Sequence, residues 1–351
     1  MKRLSILSFT VILILLTAGV PSLKAQNSND QKVIIVTLDG LRWQELFTGA
    51  DAKLIGNEKY VSDSLSLKKK FWQDTPEERR EALMPFVWNE IVKMGRIHGN
   101  REVGSKMNLT NNMWFSYPGY NEILTGQPDD ERIDSNSKIP NPNVTILEKL
   151  NKSNAYRGKV AAFGSWDVFP YIVNEQRSGV YVNAGFEPAK GENLSEIELF
   201  LNKAQPNTPS PWGSVRLDIF THQYALEYMK RMHPDIVYIA YGETDDFAHG
   251  GNYQAYLNSA HSTDQFLEEL WSYTQSDPYY RGKTAFILTT DHGRGTEPLD
   301  TWRSHGTDIE GADEVWLMAY GAGIEALGEV KEEEQLYTPK VVEIVESLVD
   351  Y

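Results

Sequence analysis

The sequence predicts an α/β fold, with a central, mostly parallel sheet covered by helices on both faces. Three observations lead there. Continuous apolar, β-branched runs at 33–38 (VIIVTL), 236–241 (IVYIAY) and 285–290 (AFILTT) have the composition of strands buried on both sides. Stretches of helical apolar period alternate with such runs, the order expected of a sheet wound with crossover helices. Each of the three runs also leads into acids and histidines: Asp39 after the first, Asp245 and His249 after the second, Asp291 and His292 after the third.

Taken in order, residues 1–25 stand apart from the fold. Lys2 and Arg3 precede an apolar run over 4–20, Pro21 breaks it, and Ala25 offers a small residue for cleavage. That is the layout of a secretory signal peptide. Ser5, Ser8, Thr10 and Thr17 interrupt the run, which is short for a spanning helix. The expectation is export to a periplasmic or extracellular space, one domain over 26–351, and no membrane span after cleavage. Losing Lys2, Arg3 and Lys24 but no acid takes the formal charge from −15 to −18. So acidic a surface argues against a nucleic-acid groove, and a bound phosphate would be drawn in by local metal charge. The chain has no cysteine, which excludes thiolate zinc sites, cysteine nucleophiles and disulfides. At 351 residues it can stabilise itself by its core.

Beyond the first strand, 51–72 is charged and without clear period and reads as a surface excursion. Thr75, Pro76, Glu77 and Glu78 form a helix start: an N-cap, a proline at the first position, then acids at the positive end. A helical pattern over 144–150 and a short strand at 159–163 (KVAAF) come next. Residues 188–211, rich in Pro, Asn, Ser and Gly, read as a solvated loop. Apolar residues at helical spacing mark 215–232, and Leu257, Ala260, Leu267 and Trp271 share one face of 253–274. A strand at 315–320 (VWLMAY) follows the third run, and Thr338 and Pro339 open a last helix striped by Val341, Val345, Leu348 and Val349.

Ligands of an open α/β sheet gather beyond the carboxyl ends of its strands. Asp39, Asp245, Asp291 and His292 should therefore meet, far apart though they are in sequence. An aspartate at a strand end is by itself most often a cap or turn former; it is the company of Asp291 and His292 that turns Asp39 toward a metal. Asp245 and His249, four apart on a turn into a helix, can point at one ion. Asp246 has no such partner and reads as a turn cap. With His305, the set comprises three aspartates and three histidines, enough oxygen and nitrogen for two divalent cations, with zinc favoured by the histidine count. Two ions roughly 3.5–4 Å apart clamp the attacking and leaving oxygens of an in-line displacement at phosphorus. Such chemistry needs no Ser-His-Asp triad. Ser116 is the candidate nucleophile, with Thr110 its rival. His98, His222, His233 and His261 read as structural.

The segments Leu38-Asp39-Gly40, Ser116-Tyr117-Pro118-Gly119-Tyr120 with Leu124-Thr125-Gly126, Asp245 to His249, Thr290-Asp291-His292-Gly293 and Ser304-His305-Gly306 carry a resemblance. In that order they resemble the alkaline phosphatase superfamily, and within it the nucleotide pyrophosphatase/phosphodiesterase-like branch. The resemblance implies an alkaline-phosphatase-like fold, two zinc ions and a phosphoseryl intermediate on Ser116. Its substrate would be a small-molecule phosphate ester, a diester in preference to a monoester. It implies Asp39, Ser116, Asp291 and His292 around one ion, and Asp245, His249 and His305 around the other. Asn136 would bind a non-bridging phosphate oxygen, with Asn141 and Asn143 as competing positions. There are departures. Serine stands where many relatives have threonine, Gly119 where diesterase relatives often carry asparagine, and no Lys-x-Arg pair occurs near 164–167. Tyr120 stands where sulfatases carry arginine, which disfavours that activity. A sulfatase or phosphonate hydrolase on the same fold, or a non-catalytic metal-binding descendant, are the alternatives.

Overall fold

A computed structural model describes residues 30–351. The signal peptide expected over 1–25, and the domain start at 26, lie outside the described residues. Ten strands occur in chain order: β1 (Lys32–Leu38), β2 (Gly95–His98), β3 (Ser105–Asn108), β4 (Val160–Gly164), β5 (Tyr181–Ala184), β6 (Ile236–Tyr241), β7 (Thr284–Thr289), β8 (Leu317–Gly321), β9 (Gly328–Glu329) and β10 (Glu334–Tyr337). Eight of them form one sheet in the order β5-β4-β6-β1-β7-β8-β2-β9, and β3 pairs with β10 apart from it. From β5 to β7 the strands are parallel; β8 runs antiparallel to both β7 and β2.

The expected mostly parallel sheet, helix-covered on both faces, is what the chain builds. All seven residues of β1 are buried. Ile34, Val36 and Leu38 pack into one core with Met229 and Leu226 of the helix Asp218–Met232 and Leu257 and Leu267 of the helix Tyr253–Ser276. Val33 and Ile35 pack into the other, with Leu124 of the helix Ser116–Thr125, Leu147 of the helix Ile146–Lys152 and Val345 of the helix Lys340–Leu348. Alternation of side chains along a strand divides one apolar run between two layers.

Register places the site. Leu38 of β1 lies opposite Tyr241 of β6, and Thr37 lies opposite Thr289 of β7. Three neighbouring parallel strands thus finish almost level, and the residues after them leave the sheet at one end. The Asp39 N–H still donates to the Tyr241 carbonyl at 3.0 Å, so Asp39 departs from a fixed point.

Two expectations need correction. The 51–72 excursion contains the helix Ser64–Phe71, capped by Asp63 and buried through Leu67 and Phe71. The 188–211 loop contains the helix Glu196–Ala204, which a full Ser195/Glu198 capping box begins. In both, charged and polar residues outnumber the two or three positions that pack, so the period is too thin to read. The Thr75 start holds, with its capping box to Glu78 complete. The strand expected from 315 begins at Leu317, because the Val315 N–H is drawn to the Met107 carbonyl at 3.1 Å.

Candidate metal centre

Asp39 is the first residue beyond β1, and Asp291 and His292 follow β7 by two and three positions. Asp245 and His249 sit on the short helix Glu243–His249 directly after β6, and His305 follows the turn Leu299–Arg303. Ser116 is the first residue of its helix, after an extended Phe115. The structure brings these side chains together at one end of the sheet.

His292 is the hub. Its Nε2 lies 3.3 Å from Asp39 Oδ1, 3.6 Å from Asp291 Oδ2, 3.7 Å from Asp245 Oδ1 and 3.4 Å from the Ser116 hydroxyl. Its Nδ1 donates to the Gly293 carbonyl at 2.9 Å, which leaves the Nε2 lone pair facing the acids. On the other side, His305 Nε2 is 3.6 Å from Asp245 Oδ1 and 2.9 Å from His249 Nε2, and His249 is 3.3 Å from Asp245 Oδ2. Two sets of three side chains bring ligand atoms within 4.8 Å of one another: Asp39, Asp291 and His292, and Asp245, His292 and His305. His292 therefore reaches both, where the resemblance gave it to one ion alone. His249 stands beside the second set at the solvent side, half exposed.

Electrostatics fit a cation. Asp39 Oδ2 accepts from the Tyr120 hydroxyl at 2.8 Å and Asp291 Oδ1 from the Gly40 N–H at 3.1 Å. The other oxygen of each, Asp39 Oδ1 and Asp291 Oδ2, is buried without a hydrogen-bond partner. A buried orphan acceptor is costly, and two of them facing one imidazole nitrogen concentrate unneutralised negative charge. Burial, then repulsion from Asp245, pushes the Asp39 carboxyl well above the usual range; burial, then repulsion from Asp39, does the same to Asp291. Burial would also raise Asp245, but the Arg294 guanidinium and then the His249 ring hold it well below that range. Burial and the neighbouring His292 push His305 down to about 2, so it stays neutral, as a metal ligand must be. Oxygen and nitrogen donors without sulfur suit a divalent cation.

Arg294 escaped sequence reasoning. It is fully buried, contacts Asp245 Oδ1 through Nη2, and donates from Nε to the Gly40 carbonyl at 3.1 Å. Its place one residue after Gly293 was the available signal, but an arginine in a polar loop reads as solvated. Gly40 itself, at φ +58°, is where this arginine and Asp245 come closest to the backbone: an added Cβ would lie 2.9 Å from Arg294 Nε and 3.1 Å from Asp245 Oδ1.

A cavity of about 150 Å³ opens on the centre, lined among others by Asp39, Ser116, Asn136, Trp166, Asp245 and Asp246. Asn136 accepts from the Tyr117 N–H at 3.0 Å, beside the Ser116 end of the helix. Asn141 and Asn143 turn away, both donating to Asn121 Oδ1 at 3.2 Å. Thr110 is not in the cavity wall, and its N–H serves Glu122 at 2.8 Å. Asp246 faces the cavity, contrary to the turn-cap expectation, and burial with repulsion from Asp245 pushes it up to about 7. The remaining histidines do structural work: His98 pairs with Glu334, His222 with Tyr241 and Glu269, His233 with Asp277, and His261 with the Leu83 carbonyl.

No known family model matches the sequence, and no curated protein matches it either. Solved structures do. The alkaline phosphatase PafA superposes with a TM-score of 0.60 at 10% identity, over 91% of this chain and 96% of that one. The phosphonate monoester hydrolase SpPMH from Silicibacter pomeroyi gives 0.53 at 12% identity, over 91% and 73%. BT1596, a 2-O GAG sulfatase, gives 0.53 at 11% identity, over 91% and 70%. Identities this low speak for architecture alone. By its sheet, its helices and its coverage of these structures, the chain has the alkaline phosphatase superfamily fold.

Proposed function

We propose that the protein is an exported, zinc-dependent hydrolase of phosphate esters in which Ser116 is the nucleophile. The observation that carries this is that two ligand sets, sharing His292 3.4 Å from the Ser116 hydroxyl, each reach the Ser116 cavity, one through Asp39 and the other through Asp245. Asp39, Asp291 and His292 would hold one ion, with Ser116 beside it; Asp245, His249 and His305 would hold the other. Bound there, two divalent cations supply Lewis acidity to the attacking and leaving oxygens. The Ser116 oxygen attacks phosphorus in line as the ester oxygen leaves, and water then cleaves the phosphoseryl bond and restores the hydroxyl. The amino end of the Ser116 helix adds positive potential beneath the phosphoryl group, and Asn136 orients a non-bridging oxygen. Tyr120 holds the Asp39 carboxylate in place.

Diesters are the favoured substrates. No lysine or arginine lines the cavity among the described residues, so a second phosphate charge would go unpaired, whereas a diester carries one. The sulfatase alternative finds no support at Tyr120, whose hydroxyl is spent on Asp39 within the core.

The test is hydrolysis of 4-nitrophenyl phosphate, bis-4-nitrophenyl phosphate and 4-nitrophenyl sulfate, with and without chelator, beside Ser116→Ala. Zinc-restorable diester cleavage that vanishes in the variant is expected. Sulfate turnover, or cleavage that survives Ser116→Ala, would refute the reading. Export is checked by the N-terminal sequence of protein recovered outside the cytoplasm, expected to begin at Gln26.

A further inference from the structure

A second, larger cavity of about 520 Å³ lies at the carboxyl ends of β4 and β5. Its size is that of a small-molecule site. Lys138, Asp167, Tyr171, Glu175, Phe186 and Glu187 are prominent in its wall. It shares chain segments with the Ser116 cavity: Asn136 and Trp166 face that one, while Lys138 and Asp167 face this one. The Asp167 N–H also donates to the carbonyl of Ser214, itself in the Ser116 cavity wall, at 2.9 Å. The two cavities therefore stand side by side across a wall one or two residues thick.

The lining chemistry is asymmetric. Three carboxylates line it with one ammonium in the wall: Lys138 is committed to Asp167 Oδ2 at 2.6 Å, and Lys190, outside the wall, to Glu187 Oε1 at 3.3 Å, which leaves Glu175 without a paired cation among the described residues. Asp167 Oδ1 and Glu187 Oε2 are both buried without a hydrogen-bond partner. Burial and the neighbouring Glu187 raise the Glu175 carboxyl, against a smaller opposing pull from Lys190. Phe186, 40% exposed, and Tyr171 bring aromatic faces to the same space. Acids with unpaired oxygens beside aromatic rings match an organic cation, bound by charge and by cation–π attraction. An anionic group, such as a further phosphate, would be repelled.

Resting on the phosphoester reading above, we propose that this cavity binds the ester substituent of the substrate, and that this substituent carries a quaternary ammonium or protonated amine. The phosphoryl group would sit at Ser116, with the cationic arm passing the Trp166–Asp167 wall into the larger space.

The test compares two diesters of one shape: 4-nitrophenyl 2-(trimethylammonio)ethyl phosphate and its uncharged isostere, 4-nitrophenyl 3,3-dimethylbutyl phosphate. The zinc-loaded protein should prefer the cation at least tenfold in kcat/KM, expressed mainly in KM. The double variant Glu175→Gln/Glu187→Gln should lose most of that preference. Equal kcat/KM for the two esters, or a preference untouched by the double variant, overturns the proposal. If these esters and bis-4-nitrophenyl phosphate are all inert, the hydrolase reading fails, and binding decides the cavity. Calorimetry with 2-(trimethylammonio)ethyl phosphate and 3,3-dimethylbutyl phosphate should then show the cation at least tenfold tighter in the parent and not in the double variant. Equal affinities, or no binding of either, would again overturn it.

Discussion

Gly119 sets the distance between Ser116 and Asp291, and Gly119→Ala should reveal it. Gly119 lies one helical turn after Ser116, and a Cβ built there would stand 2.1 Å from the Asp291 carbonyl oxygen, 2.9 Å from its carbonyl carbon and 3.2 Å from its Cβ. Ordinary carbon–oxygen contact begins near ~3.4 Å, so helix and loop must part by about 1.3 Å. The obstacle is backbone, which cannot rotate away as a side chain would. Overpacking of this kind costs about 1–3 kcal/mol of stability, which a domain of this size survives. A displacement of about 1 Å at reacting groups, however, costs roughly a hundredfold in rate. Gly119→Ala should therefore fold, unfold a few degrees earlier, and lose about two orders of magnitude in kcat on bis-4-nitrophenyl phosphate. Gly213→Ala is the control, since nothing lies within 4 Å of its added Cβ, and it should be neutral. A folded Gly119→Ala protein with near-normal kcat would refute the claim that this contact positions Ser116.

Asp291→Ala or His305→Ala should abolish turnover and lower zinc content by mass spectrometry while the far-ultraviolet circular dichroism is kept; near-normal rates in either would break the ligand assignment. Arg294→Met leaves Asp245 as an uncompensated buried charge, and losing one partner of such a pair costs about 3–5 kcal/mol. The metal-free variant should melt well below the metal-free parent, and zinc should raise its Tm more than the parent's; an equal zinc shift would show that Arg294 and the ion do not share the Asp245 charge. Asp264 is buried and accepts the Phe86 and Val87 N–H groups at 2.8 and 2.9 Å, yet burial raises its carboxyl to about 7 from an ordinary 3.8. A raised folded-state pKa adds stability that is complete below the unfolded value and lost as pH climbs through the folded one. Between about pH 4 and pH 7 its contribution should fall by roughly 1.4 kcal/mol per unit. Asp264→Asn should lack that slope in denaturant unfolding, and parallel curves for the two proteins would refute it.

The sequence carried the layered fold because β1, β6 and β7 are buried on both faces, which leaves long unbroken apolar runs, and because each run ends on a ligand. The meeting of Asp39, Asp245, Asp291 and His292 was legible for the same reason, since they leave three strands at one level. It could not carry β2, β5 and β9, of four residues or fewer, whose pairing is decided by neighbours far along the chain. Nor could it carry Arg294 or the wall acids Glu175 and Glu187. A charged residue in a loop reads as solvated until tertiary contacts show what surrounds it. Tyr120 is the instructive middle case. Its number in the motif was legible, but its hydroxyl on Asp39 appears only once helix and strand end are packed together.

The three aspartates of the centre are not equally supplied with positive charge, and that inequality orders the site. Asp245 has a protein cation, Arg294, and three histidines within 3.7 Å. Its helix is anchored as well. Asp218 accepts the Gly242 and Glu243 N–H groups at 2.8 and 3.1 Å, and Glu243 accepts the Asp218 N–H at 2.9 Å, so each acid satisfies the amino end of the other's helix. Asp39 and Asp291 have neutral donors alone, Tyr120 and the Gly40 N–H, with one orphan oxygen apiece. The deepest deficit of charge thus falls on the Asp39–Asp291 side, the first place a dication would be held. His292 Nε2 faces that same deficit, and the Ser116 hydroxyl lies 3.4 Å from it. The ion bound most strongly by the unpaired acids would therefore be the one nearest the nucleophile, where lowering a hydroxyl pKa has use.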